Sequence, residues 1–540
     1  MTEVQEYLLK LIKEIDDICL EHDIDYYIFA GSQLGVERNE GFLPWDDDID
    51  LIMTEENYQK FMKVMREDPP PNRAFECSEQ NKEYPLQFGK YMSTDMTGLI
   101  RPHAFNNAAS GLWIDIIHAV PAPTSERRLE FIKKWFCCWC ELDNEIYVEH
   151  KTHYEGFYPR YRFLVFLAKV FGKKTIDKWA DKLFNSYPED KCTHYLMYHS
   201  LYTDYRFFEK KFFEKPVRRL YEGMEVSVSP YNREFSRLLF GDSWMMVPPV
   251  ADREVHAMVV DFDVPYHKYV DDYMCFLNKD EVMANLKETK VIQTKNLVER
   301  RKFIKRLFYI KGILLNERMK SRIESEGIDL DKELEAGNFD LINDIYKEFE
   351  KLQYDELAAK WGAFIPIEDD LLYTYINKAM RYDGQYYKTN KFLRLRAAEK
   401  KAPLSAELES MRPVIDICRK LSIALWDDRD FDSIEKIINT EIEGKNYGFC
   451  IDFELAKLYL KMHKAEGEDD YDAVKTEIEK ILKLIPDQGE CIKLLGDIAY
   501  LKGSLKEAAG YYEKAENITT NGLLLLDIRK KKEEITIENS

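Results

Sequence analysis

Positive charge is in short supply in this sequence: 78 lysines and arginines are outnumbered by 98 aspartates and glutamates, for a formal net charge of −20. Such a field repels nucleic acid and anionic lipid alike, so no nucleic-acid partner is expected and any lipid contact needs a local basic patch. The chain also lacks an apolar run of about 18 residues, the length a membrane-crossing helix requires. Its longest candidate, Phe163 to Phe171, is too short and runs into Lys173 and Lys174. The opening Met-Thr-Glu-Val-Gln-Glu-Tyr has none of the basic-then-apolar pattern of an export leader. The ten cysteines follow no regular framework, which with that opening favours reduced thiols. Together these absences predict a cytoplasmic protein, working free or at the inner face of a membrane.

Apolar matter, by contrast, is ample. A hydrophobic share of 45% and an aromatic share of 13% exclude a disordered chain, and 540 residues predict two to four domains. Val4, Leu8, Leu11, Ile15 and Ile18 recur at helical spacing, predicting a helix with one buried face. Asp25 to Ala30 predicts a buried strand stopped by a turn at Gly31-Ser32, followed by a short polar helix. Further strands are expected at Asp48 to Met53 and Leu112 to Ile117, with a helix from Glu55 to Met65 between them. The first third is therefore expected to be α/β.

Residues 125–215 are expected to be a mainly helical insertion, and Glu222 to Pro249 a non-helical piece rich in Gly and Pro. Arg300 to Arg322 predicts a basic helix that could meet a membrane surface, a polyanion or the acidic C-terminal part. Leu495-Gly496, Gly503, Ala508, Tyr512 and Ala515 fit tetratricopeptide spacing, with a weaker copy from Leu455 to Pro486 and degenerate candidates at Phe339 to Phe349 and Leu421 to Ile438. The expected domains are a catalytic one over 1–285, a basic connector over 286–330, and an all-α helical-repeat domain over 331–535.

The chemistry is expected where carboxylates share one face. Asp48 and Asp50 are two apart on a predicted strand, so their side chains leave the same side. Such a pair is held together most readily by a divalent cation, magnesium or manganese, with oxygen ligands. Asp115, embedded between Ile114 and Ile116, would complete a three-carboxylate group if the two strands are neighbours. Gly31 would let backbone approach a phosphate, Ser32 would add a hydroxyl, and Arg38 a bidentate fork. Each feature also has a plain reading: a Gly-Ser turn, an exposed acidic turn over Asp46 to Asp50, or the Asp-x-Asp of a glycosyltransferase. Cys137, Cys138 and Cys140, near His150 and His153, read better as small apolar residues than as a zinc site. His103, His118 and His256 have no legible role.

The order of these elements resembles the nucleotidyltransferase superfold. The segment Gly31-Ser-Gln-Leu-Gly35, then Arg38, then Gly41-Phe-Leu-Pro-Trp-Asp-Asp-Asp-Ile-Asp50 resembles the signature of the LicD family, which includes fukutin and fukutin-related protein. Lys90 and Thr97, Trp113 to Ile117 with Pro121, Glu222-Gly223, Phe240 to Trp244 and Asp261 to Tyr266 resemble later family segments in order. Ile117-His118, Ala122-Pro123 and Phe240 depart from the pattern, on the acceptor side.

The resemblance implies that Asp48 and Asp50 ligate Mg2+ or Mn2+, and that Asp115 is a further ligand or a general base. It implies that Gly31, Ser32, Arg38 and Thr97 line the donor's phosphates, and that Lys90 neutralises the leaving nucleotide. Asp46 and Asp47 read better as residues that cap and solubilise the turn than as part of the metal shell. The implied activity is transfer of phosphocholine or a polyol phosphate from a CDP-linked donor to a hydroxyl of a cell-surface glycan, releasing CMP. Two alternatives stand beside it: transfer of a nucleoside monophosphate from a triphosphate, and a non-catalytic scaffold working through the repeats.

Overall fold

A computed structural model of the chain describes residues 1–99, 108–122, 158–198, 207–248, 256–268, 324–336 and 406–538, apart from a few positions within them, with scattered residues between. Two compact units result, Met1–Trp244 with Pro248–Lys295, and Met245–Val247 with Asn296–Ser540.

The first unit opens with helix α1, Glu3–Glu21. A capping box starts it: Gln5 N donates to Thr2 Oγ1 at 3.2 Å, and Thr2 N donates to Gln5 Oε1 at 3.0 Å. Its apolar stripe, Leu8, Leu11, Ile12 and Ile15, is fully buried. Strand β1 (Tyr27–Phe29) passes directly into α2 (Ala30–Asn39). Strand β2 (Asp50–Thr54) is followed by α3 (Glu55–Glu67), then β3 (Arg73–Glu76), β4 (Gly89–Ser93), β5 (Thr97–Leu99) and the long β6 (Trp113–Ala122). Helices α4 (Tyr158–Phe171) and α5 (Lys173–Phe184) precede strands β7 (His194–Tyr198), β8 (Phe207–Glu209), β9 (Val217–Tyr221) and β10 (Met224–Val228). Helix α6 (Asn232–Phe240) and strand β11 (Val259–Asp261) follow.

Among the described residues seven strands form the main sheet, in the order β1-β2-β6-β4-β3, with β7 beside β6 and β8 beside β7. Strands β2 and β6 are parallel, and every other pairing is antiparallel. β6 serves two neighbours in succession, β4 over Trp113–Ile116 and β7 over His118–Ala122. Side chains alternate between two faces. One face carries Ile28, Leu51, Met53, Ile114 and Ile116 under α1 and α3. The other carries Tyr27, Phe29, Ile52, Ile117 and Ala119, packed with Phe235 and Leu239 of α6. Asp50 and Asp115 fall on this second face by parity.

Several expectations shift. Gly31-Ser32 is the first turn of α2 and not a turn before it, Ala30 taking a left-handed φ of 49° at the junction. Asp48 lies just before β2, which begins at Asp50. The stretch 125–215 contributes β7 and β8 to the main sheet, because Tyr195 and Met197 face one core and Leu196 another. The Gly- and Pro-rich piece 222–249 contains α6, whose Phe235 and Leu239 are a helical turn apart and buried.

In the second unit the described residues from 406 onward form helices joined by short non-helical connections. They include α7 (Arg412–Ser422), α8 (Phe431–Ile437), α9 (Ile451–Lys464), α10 (Glu468–Leu484), α11 (Gly489–Leu501), α12 (Leu505–Ile518) and α13 (Gly522–Glu538). Lys493, nearly buried in α11, is neutralised by Asp497 at 2.8 Å and by Asp527 of α13. The basic stretch 300–322 lies almost wholly outside the described residues. Cys137, Cys138, Cys140, His103, His150, His153 and Phe339 to Phe349 also lie outside them.

Candidate functional site

Parallel pairing of β2 with β6 puts Asp50 directly opposite Asp115. Asp48, on the approach to β2, brings its carboxylate to the same place. Ligand oxygens of Asp48, Asp50 and Asp115 all lie within 4.8 Å of one another. The group expected from sequence is thus assembled, with Asp48 supplied by the residues just before the strand.

The loop carrying it is fixed from three sides. Gln5 Nε2 of α1 donates to the carbonyls of Leu43 at 3.3 Å and Asp46 at 3.0 Å. Glu222, in the tight β9–β10 turn, accepts from Phe42 N at 3.0 Å and donates its own N–H to Glu40 O at 2.7 Å. Ser32 Oγ accepts from Asp50 N at 3.1 Å, so the first turn of α2 is tied to the start of β2. A Cβ on Gly31 would come within 3.1 Å of Asp46 Oδ2, which is why this turn and the acidic loop can lie so close.

Crowded carboxylates resist ionisation. Burial, then the neighbouring Asp48 and Asp115, push Asp50 well above the usual carboxylate range. Burial raises Asp48 to about 6 against the pull of His256, with Asp115 adding to the rise. Burial also raises Asp115, while the ammonium of Lys90 offsets part of the effect. Lys90 is the register partner of Asp115 across β4 and β6, and its Nζ forms an ion pair with Asp115 Oδ1. The same ammonium lies 4.5 Å from the centre of the Trp113 ring.

Two expected phosphate contacts are engaged elsewhere. Arg38, 4% exposed near the far end of α2, donates through Nη2 to the carbonyl of Trp244. Burial lowers its pKa to about 10. Thr97 Oγ1, in β5, donates to Val264 O at 2.7 Å. His118 stacks on Tyr58 with ring centres 4.3 Å apart and contacts Glu55, on the sheet face opposite the carboxylates.

Two residues at the site were not legible beforehand. His256 Nδ1 lies 2.9 Å from Asp47 Oδ1 and 3.3 Å from Asp48 Oδ2. Asp47 also accepts from the backbone N–H of His256 at 2.9 Å and of Ala257 at 3.2 Å. Burial works to raise Asp47, but these donors prevail and hold it below its ordinary value, while the bond to Asp47 lifts His256 to about 10. Asp46, expected to cap and solubilise the turn, is turned inward. Its Oδ2 is buried without a hydrogen-bond partner, and burial, then Asp48, raise it to about 8. Nothing in the local sequence marks His256. Asp46 was signalled only by its place in a run of acids behind Trp45.

Three crowded carboxylates whose pKa values are all raised, two from adjoining strands and one from just before the first of them, fit a hard divalent cation.

Comparison with known proteins agrees with this geometry. Residues 23–107 match the LicD/FKTN/FKRP nucleotidyltransferase domain, a span that includes Asp48 and Asp50 and stops short of Asp115. The lipopolysaccharide cholinephosphotransferase LicD of Haemophilus influenzae is 22% identical over 276 residues, covering 47% of this chain and 95% of that protein. An uncharacterized protein of Rickettsia typhi is 31% identical over 58 residues, 11% of this chain and 19% of its own length. Residues 23–107 of the chain are thus similar to the LicD/FKTN/FKRP nucleotidyltransferase domain, and a longer stretch is similar to a LicD cholinephosphotransferase.

Proposed function

We propose that this chain is a metal-dependent phosphotransferase. It would move phosphocholine or a polyol phosphate from a CDP-activated donor to a hydroxyl of a cell-surface glycan or its precursor, releasing CMP. The observation that carries the reading is the convergence of Asp50 and Asp115 from adjoining parallel strands with Asp48 from the residues just before the first of them. The similarity to a cholinephosphotransferase along nearly its whole length supports the same class of chemistry.

Asp48 and Asp50, with Asp115, would hold Mg2+ or Mn2+, which when bound supplies positive charge against the phosphoryl oxygens. The first turn of α2, around Gly31 and Ser32, offers backbone N–H groups and the positive end of a helix to the diphosphate. The acceptor hydroxyl oxygen forms a new bond to the β-phosphorus as the bond to CMP breaks. Asp115 is assigned either to complete the cation site or to receive the hydroxyl proton. Lys90 balances charge at Asp115 and only indirectly at the leaving nucleotide. Arg38 and Thr97 act as positioning residues that hold the segments around Trp244 and Val264. The helices from Ile451 to Glu538 are read as tetratricopeptide-like pairs that recruit a protein partner.

The test is CMP release by purified protein with magnesium or manganese, offering CDP-choline, CDP-ribitol and CDP-glycerol in parallel, with candidate glycan acceptors present. Release with one donor, lost in Asp50→Ala, is expected. Pyrophosphate release from a nucleoside triphosphate, with no CMP release, would move the assignment to nucleotidyl transfer. Cation binding without turnover of either kind would point to a scaffold.

A further inference from the structure

Helices α4 and α5 pack one side onto the cluster of Phe136, Trp139, Leu164, Ile176, Ala180 and Phe184. Their other side carries large apolar groups in the open. Phe163, Phe166 and Val170 follow at three- and four-residue steps and form one ridge of α4, with Phe166 59% exposed. Phe171 closes α4 and meets Trp179 of α5 with ring centres 5.5 Å apart, and Trp179 is 50% exposed. A soluble surface rarely gathers this much exposed aromatic matter without an occupant.

The charge around the ridge identifies that occupant. Between Tyr158 and Phe184 there are seven lysines and arginines and two aspartates, in a chain whose net charge is −20. Lys169, Lys178 and Lys182 are exposed. Of the aspartates, Asp177 accepts from Trp139 Nε1 at 3.1 Å and Asp181 bonds Asn185, so both are already engaged by this unit. The hairpin is thus a cationic, aromatic island on an acidic protein.

A second copy of the chain is a poor occupant, because a two-fold contact would press one cationic hairpin against another. A surface with negative heads over an apolar layer matches both features, taking the rings at the acyl boundary and the lysines among the headgroups. No helix among the described residues is long and apolar enough to cross a membrane, so this would be docking in the plane of the interface. The geometry points to α4–α5 as a docking surface for an anionic lipid bilayer. The inference does not depend on which donor the carboxylate site uses.

Flotation of the full chain with phosphatidylcholine vesicles, with and without phosphatidylglycerol, tests it. Binding to the anionic vesicles alone is expected, weakening as salt rises. Phe166→Ser with Trp179→Ser, and separately Lys178→Glu with Lys182→Glu, should each weaken binding about tenfold or more. Both pairs are exposed, so the thermal midpoint should not move, and an unchanged midpoint is the control for folding. Equal binding by wild type and both double variants overturns the proposal, as does failure of the wild type to float with anionic vesicles. A concentration-dependent dimer abolished by Phe166→Ser with Trp179→Ser would overturn it in favour of a contact between copies.

Discussion

Lys90 and Asp115 face each other in register across β4 and β6, and their side chains join two nearly buried opposite charges in one ion pair. Breaking such a pair from one side strands the other charge. Lys90→Met should therefore destabilise the protein by about 3–5 kcal/mol. Adding Asp115→Leu should recover most of that loss, because both charges then leave together. Urea denaturation of the two single variants and the double variant measures the coupling, and strictly additive losses would contradict it.

The carboxylate group should trade stability for chemistry. In the metal-free protein, Asp50→Asn relieves the repulsion that raises Asp50 and its neighbours, so stability should rise by about 1–2 kcal/mol. Phosphotransfer by the same variant should fall about a thousandfold. Calorimetry without metal reads the first effect and CMP release the second. A variant both less stable and less active would argue for a purely architectural role.

Cation binding should be visible without any substrate. Magnesium at about 100 times its dissociation constant should stabilise the wild-type fold by about 2.7 kcal/mol. Asp48→Asn with Asp50→Asn should show no such gain in a thermal melt. An equal gain in that variant would place the binding elsewhere.

Two glycines of the second unit should respond with opposite signs. A Cβ on Gly496 of α11 would sit 2.6 Å from the ring of Tyr512, which is buried in α12 and bonded to Asp497 at 2.8 Å. Gly496→Ala should cost about 1–3 kcal/mol by overpacking. Gly510 in the same α12 meets nothing within 4 Å, so Gly510→Ala should stabilise by about 0.5–1 kcal/mol through helix propensity. Equilibrium unfolding of the two variants gives both signs.

The sequence revealed local periodicity and little that depends on distant partners. Helix α1 was legible because Leu8, Leu11 and Ile15 recur at helical steps and are buried in one core, with Val4 and Ile18 packed partly buried against it. The meeting of Asp50 with Asp115 was legible because two apolar strands each carried one embedded acid. Gly31 and Ser32 were misread because glycine and serine are weak formers of helix interior and favour caps and turns, whereas here packing against Asp46 and the bond from Asp50 N hold them in a helix. Arg38 had the chemistry of a phosphate ligand, but its fate depended on the carbonyl of Trp244, far along the chain. His256 was silent for the same reason: its meaning comes from Asp47 and Asp48, with no local pattern to announce it.

The alternation along β6 ties the packed core to the acid group. Ile114 and Ile116 belong to the packed core, and Asp115 between them belongs to the acid group. A one-residue insertion just before Ile114 would exchange those destinations, sending the carboxylate into hydrocarbon and isoleucines among the carboxylates. Such a lesion cannot yield a well-folded but inactive protein, and no compensating change at a single distant position repairs it. Drift in this strand is therefore confined to substitutions that keep its frame, so length variation between relatives should collect in the connections on either side of β6.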